Sequence, residues 1–189
     1  MKKLEEKILY KGKWIGFKEI SYLNNEEKLL KWEAVERTNT TKAVVIVAKL
    51  VPTERYVFIK QYRPAIDNYV IGFPAGLLEQ EDIELEAKRE LKEETGYIGK
   101  VVDISPEIRP NPALLTDYAI LVQMEIDEND ELNKNPKQEL EPSEDIEVIL
   151  VSKEESRDFL IEQKNKGVDV GIGPVSYTHL RAHETLANL

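Results

Sequence analysis

Five residues crowded into one stretch could do chemistry: Glu86, Arg89, Glu90, Glu93 and Glu94. Residues three and four apart share one face of a helix. On a helix the four glutamates would fall within about a third of the circumference. Ile83, Ala87 and Leu91 recur at i,i+4 and supply an apolar stripe that can dock on a core. Like charges at this spacing repel, at about 0.2–0.5 kcal/mol per pair on an isolated helix. A hard divalent cation removes that cost, because magnesium and manganese take carboxylate and carbonyl oxygens. The competing reading is a solvated acidic face, with Lys88, Arg89 and Lys92 as counter-charges. The segment Phe73-Pro74-Ala75-Gly76 precedes the helix and is read as a tight turn that brings backbone carbonyls beside it.

The elements that must position this helix follow from pattern. Residues 14–23 are β-prone, Asn24-Asn25 is a turn signal, and residues 30–37 read as the return strand. This charged hairpin buries little alone, so it should lie on the main domain or on a second subunit. Residues 42–51 and 55–62 read as buried strands of one sheet, joined by a turn at Pro52-Thr53-Glu54. A short strand at 69–72 enters the Pro-Ala-Gly segment, and strands at 101–104 and 118–126 follow the helix. Arg109-Pro110-Asn111-Pro112 is a loop that two prolines keep from being helical. Residues 127–143 read as a long acidic loop, 146–151 as the last clear strand, and 153–166 as a helix capped by Gly167. Pattern alone gives a mixed α and β domain.

Composition narrows the classes. The chain of 189 residues is long enough for one domain with a real core. A hydrophobic share of 41% with 33% charged residues suits a globular protein. The net charge of −10 argues against a nucleic-acid-binding surface. No signal peptide or long apolar run is evident, so no membrane partner is expected. Cysteine is absent, which removes disulfides and thiol nucleophiles and fits a cytoplasmic setting.

The stretch 76–97 resembles the Nudix box, Gx5Ex7REUxEExGU with U apolar or aromatic. Gly76, Glu81, Arg89, Glu90, Leu91, Glu93, Glu94, Gly96 and Tyr97 take its fixed positions. The half from Glu81 onward is in register, whereas four residues rather than five separate Gly76 from Glu81. The likeness extends over roughly residues 11–170 through Gly12-Lys13-Trp14, residues 32–38, residues 60–64 and residues 72–76. Within that family the chain is most similar to the ADP-ribose pyrophosphatase branch. The fold this implies is an α/β/α sandwich with a mixed sheet, preceded by an N-terminal β-hairpin arm at residues 1–38. The hydrolase domain would span residues 39–173.

The resemblance also implies roles. The Ala75 carbonyl, Glu90 and Glu94 would hold Mg2+, with Mn2+ as substitute, and Glu93 would reach a further ion. Arg89 would hold a box glutamate in place. Trp14 and Trp32 would sandwich a base, one from each subunit of a homodimer; half-buried strand aromatics are the plain alternative. Arg37 and Arg63 would grip phosphates or ribose, since a guanidinium fork suits that task; a surface ion pair is the alternative for each. Gly76 joins the substrate-binding set. The general base would be Glu144, with Glu93 as rival. The activity implied is metal-dependent cleavage of a nucleoside diphosphate sugar, ADP-ribose to AMP and ribose 5-phosphate. A binding module that does not cleave, or an enzyme for GDP-mannose or NADH, are the alternatives. From Pro174 onward the character changes, and residues 174–189 read as a non-native tail. Its His179 and His183, beside Glu184, imitate a zinc helix but lack a third ligand and a framed cavity.

Overall fold

The computed structural model of the chain describes residues 1–181. Its first sheet is an antiparallel meander of β1 (Lys2–Lys11), β2 (Ile15–Leu23) and β3 (Leu29–Arg37). The sequence reading found the last two strands and missed the first. Every residue of β1 is exposed, so it has no buried face to impose a strict alternation. Lys18 of β2 is buried and donates to Glu6 of β1 at 3.2 Å and to Glu36 of β3 at 2.6 Å. One ammonium thus ties three strands. The turn at Asn24 forms as expected: its side-chain oxygen accepts from the N–H groups of Glu26 and Lys28.

The second sheet has eight strands: β4 (Lys42–Val51), β5 (Arg55–Arg63), β6 (Asn68–Gly72), β7 (Ala75–Leu77), β8 (Lys100–Ile104), β9 (Tyr118–Asp127), β10 (Ile146–Ser152) and β11 (Asp169–Val170). It is mixed, because β4 runs parallel to β9 and antiparallel to β5 and β7. The pleat divides the core. Val44, Ile46, Ala48 and Leu50 of β4 pack with Ala87 and Leu91 of α1 (Ile83–Thr95). Val45 and Val47 face the other way, with Leu160 and Phe159 of α2 (Ser156–Asn165) and Tyr177 of α3 (Ile172–Arg181). Helices on both faces of a mixed sheet make the α/β/α sandwich. None of the described helices is long and apolar enough to cross a membrane.

The sheet splits where it matters. β4 and β5 pair only at Lys49↔Tyr56 and Leu50↔Arg55, then diverge. β4 goes on to pair with β7, and β5 with β6. The chain from β6 to β7 therefore crosses the gap between the halves. This corrects the tight turn expected at Pro74-Ala75-Gly76. The segment is extended, because the Pro74 carbonyl accepts from Ile46 N–H at 2.8 Å and Ala75 and Gly76 pair with Val45 and Val44.

Caps fix the ends of α1. The Asp82 side chain accepts from Leu85 N–H at 3.0 Å, and Gly96 closes the helix at φ 78°, donating its N–H to the Lys92 carbonyl. A β-carbon on Gly96 would fall 2.2 Å from the Lys137 nitrogen, so glycine is needed there twice over. The late helix begins three residues later than expected, at Ser156. α3 runs across the boundary placed at Pro174. Its Tyr177 ring meets Tyr56 and Phe73 edge-on at 5.5 and 5.9 Å. His183 and Glu184 lie outside the described residues.

Candidate active site

α1 lays its glutamates along the gap between β4 and β5. Glu86, Glu90 and Glu94 are 1%, 9% and 2% exposed, which overturns the solvated-face reading. The apolar stripe at Ala87 and Leu91 presses α1 onto the sheet and drags these carboxylates inside with it. Arg89 neutralises part of the charge. It donates to Glu86, Glu90 and Glu93 from one guanidinium, with Nε 2.6 Å from Glu86 Oε1. The second Glu86 oxygen accepts from Glu79 N–H at 3.3 Å. Glu94 accepts from Ala75 N–H at 2.9 Å.

The strand geometry explains that last bond. The Ile46 N–H to Pro74 carbonyl bond makes Val45 and Ala75 a non-hydrogen-bonded pair. The backbone groups of Ala75 are thereby turned away from β4 and into the gap. Gly76, next along, passes so close to the helix that a β-carbon would fall 1.9 Å from the Glu90 carboxyl carbon.

Burial dominates the electrostatics. It pushes the Glu94 carboxyl up to about 8; Glu90 and Glu144 add to the rise, while Ala75 N–H and Arg63 oppose it. Burial likewise pushes Glu90 up to about 7, against the pull of Arg89 and with the repulsion of Glu93 and Glu86. The Arg89 guanidinium would be lowered by burial, but its bond to Glu86 and the charges of Glu90, Glu86 and Glu93 raise it further. Three buried carboxyl groups against one half-buried guanidinium leave an all-oxygen site with negative charge in excess once they ionise. That donor chemistry suits a hard cation. Among the described residues no three acidic or histidine side chains converge as a formed metal cage. Arg89 and the backbone N–H groups hold the oxygens instead. The fit therefore rests on donor type and charge.

Glu90, Glu93 and Glu94 open onto a cleft of about 340 Å3 that also takes in Arg37, Gln61, Arg63, Ala75, Gly76 and Glu144, while Glu86 lies behind Arg89. Arg37 reaches it from the end of β3, steadied by Asp117 Oδ2 at 3.1 Å. Arg63 reaches it from the end of β5. Glu144 sits on a turn in which its carboxylate accepts from Glu141 N–H at 2.9 Å. The structure thus brings together every expected site residue except the tryptophans. Trp14, in the bend between β1 and β2, and Trp32, on β3, are both exposed. The Trp32 indole N–H donates to the Ala113 carbonyl, and the Trp14 ring carries the Lys13 ammonium at 4.4 Å. Glu81 is exposed, ahead of the Asp82 cap.

Three residues of the site, and the role of a fourth, escaped the sequence reading. Glu79 lines the cleft and holds Glu86 through its backbone. Glu86 was counted among the helix carboxylates, but its role as the buried anchor for Arg89 was not. Asp117, in the loop just before β9, and Gln61, on β5, are distant from the box in sequence, and only the folded arrangement joins them to it. Glu86 alone carried a signal, its i,i+3 spacing to Arg89.

Comparison with known proteins agrees with this geometry. A model of the NUDIX domain matches residues 39–167. The ADP-sugar pyrophosphatase of Mus musculus is 35% identical over 156 residues, covering 78% of this chain and 72% of that protein. The ADP-ribose pyrophosphatase of Saccharomyces cerevisiae is 32% identical over 164 residues, covering 82% of this chain and 71% of that protein. A solved structure described as an ADP compounds hydrolase superposes with a TM-score of 0.66 at 19% identity, covering 85% of this chain and 84% of its own, a likeness of fold.

Proposed function

The chain belongs to the NUDIX domain family, and from that premise we propose that it hydrolyses the diphosphate bond of a nucleoside diphosphate sugar, ADP-ribose first among them. The observation that carries the reading is the buried pair Glu90 and Glu94, beside Glu93, opening onto a cleft that also holds Arg37 and Arg63. Excess buried negative charge suits divalent cations, and two arginines suit the diphosphate that arrives with them. The carboxylates of Glu90 and Glu94 and the Ala75 carbonyl would hold Mg2+, with Mn2+ able to replace it, and Glu93 would serve a further ion. Bound there, the cation would supply charge neutralisation at the diphosphate and a more acidic water.

The chain's own residues do the rest. Arg37 and Arg63 orient the diphosphate along the cleft. Arg89 keeps Glu86, Glu90 and Glu93 on one face of α1. Glu144 takes the proton of the attacking water, whose oxygen bonds to phosphorus as the bridging P–O bond breaks. Glu93 is less suited to that step, since its carboxylate is already bound by Arg89. AMP and ribose 5-phosphate leave. The base is stacked between Trp14 of one subunit and Trp32 of another, in a homodimer.

The test is turnover of ADP-ribose with and without Mg2+, following AMP release, beside ADP-glucose, GDP-mannose and NADH. Metal-dependent AMP release, fastest from ADP-ribose, is the expected result. A faster sugar nucleotide would change the substrate and keep the chemistry. Tight binding of ADP-ribose with no turnover of any of them would make the chain a binding module.

A further inference from the structure

We propose that Gln61 orients the attacking water by accepting a hydrogen bond from it at Oε1. The proposal rests on the hydrolase reading above. Side chains on β5 alternate, and Val57, Ile59, Gln61 and Arg63 share the face turned toward α1. Val57 and Ile59 are buried core residues, so this row predicts an apolar side chain at position 61. An amide stands there instead. Gln61 is only 7% exposed, and its buried Oε1 has no hydrogen-bond partner. A buried carbonyl oxygen without a donor is a standing cost to the fold, one that an apolar side chain would avoid. Its position says what could supply the donor. Gln61 pairs with Ile146 across β10, two residues after Glu144, and shares the cleft with Arg63, Glu94 and Glu144.

The chemistry of the acceptor narrows the ligand. A diphosphate at neutral pH offers oxygens and no donor, so it cannot satisfy Oε1, and a divalent cation in the cleft has the charged oxygens of Glu90 and Glu94 to take before a neutral amide. A sugar hydroxyl has one proton and could serve either Gln61 or a carboxylate, but not both. A water has two. With one proton toward Glu144 and the other toward Gln61 Oε1, its lone pair is left free for phosphorus. The O–P bond then forms, the bridging P–O bond breaks with its electron pair, and the first proton passes to Glu144. The Gln61 bond is kept throughout, which fixes the direction of attack.

Gln61→Met and Gln61→Glu test this in the full chain. Three quantities are measured: kcat and KM for ADP-ribose, affinity for its non-hydrolysable α,β-methylene analogue, and the thermal midpoint without metal. In Gln61→Met the midpoint should hold or rise, because the unpaired oxygen is gone. Analogue affinity and KM should stay within about twofold while kcat falls roughly 100-fold. Gln61→Glu restores an acceptor of the same reach and should recover at least about tenfold of that loss. If Gln61→Met does not fold, Gln61→Asn, which retracts the carbonyl by one methylene, should show the same fall in kcat. A folded Gln61→Met with kcat near that of the parent overturns the proposal. So does a weaker analogue affinity and higher KM at unchanged kcat, which would give the oxygen to a sugar hydroxyl. If the parent chain binds the analogue and turns over nothing, the hydrolase reading itself fails and takes the water with it.

Discussion

At Gly76 a single β-carbon would sit 1.9 Å from the Glu90 carboxyl carbon, so any side chain there requires the Glu90 carboxylate to move aside. Gly76→Ala should therefore displace the Glu90 carboxylate from its place between β7 and the Arg89 guanidinium. The expected outcome is a lower thermal midpoint together with loss of ADP-ribose turnover; an alanine variant with parental values of both would mean that Glu90 does not hold this position. Glu94→Gln asks a different question. Its amide oxygen can still accept from Ala75 N–H, and the substitution removes a charge that burial disfavours, so the fold should keep or gain stability. Turnover should nonetheless fall on the order of 100-fold or more, because a neutral amide is a poor partner for a divalent cation. Near-parental kcat would remove Glu94 from metal binding. Asp117 belongs to the same scale. It steadies Arg37, and its second oxygen is buried without a partner.

The box helix was legible because two local signals agreed, the i,i+4 stripe of Ile83, Ala87 and Leu91 and Gly96 at its end; the Asp82 cap, a third, went unread. β7 was not legible, because Pro74 and Gly76 read as turn residues while their pairing with β4 is set by a partner some thirty residues away in sequence. β1 was missed for the opposite reason, having no buried face at all. The cleft carboxylates were legible as a cluster, but their burial depended on how deep α1 lies, which no local pattern records. That depth has a pH consequence. Glu90 and Glu94 titrate at about 7 and 8 in the folded protein, against an ordinary value of about 4.3. Between those limits the folded state binds more protons than the unfolded one, so stability falls as pH rises. The contribution is full below the ordinary carboxylate value and is lost as pH passes the folded values. Thermal midpoints of the metal-free protein should decline from pH 5 to pH 8.5, on the order of the window these values define. Mg2+ should restore stability most at the alkaline end. A midpoint that rises across this window without metal would show that α1 does not bury its carboxylates.

The whole molecule poses the question of where the second half of a base-stacking site comes from. Thr38 N–H donates to the Trp14 carbonyl, which places Trp14 beside the end of β3. Trp32 lies six residues earlier on the same extended run, a separation of about 20 Å at the rise of a strand. Two faces that grip one base stand about 7 Å apart, twice the roughly 3.5 Å van der Waals separation. One chain therefore cannot close this sandwich with its own tryptophans. If the proposed homodimer does it, Trp14→Ala and Trp32→Ala each damage both sites of their own dimer and raise KM for ADP-ribose more than they lower kcat. Mixing the two variants after unfolding, then refolding them together, separates the possibilities. In a heterodimer one site has lost both tryptophans and the other has kept both. Random pairing makes half of the dimers mixed, so about a quarter of all sites should regain the parental KM. Activity at low ADP-ribose should then rise well above that of either variant alone. No recovery, in a sample whose size confirms a dimer, would return both tryptophans to the first sheet as surface aromatics. A monomer at working concentration would remove the shared site altogether and leave the cleft with its arginines and carboxylates as the whole of the binding surface.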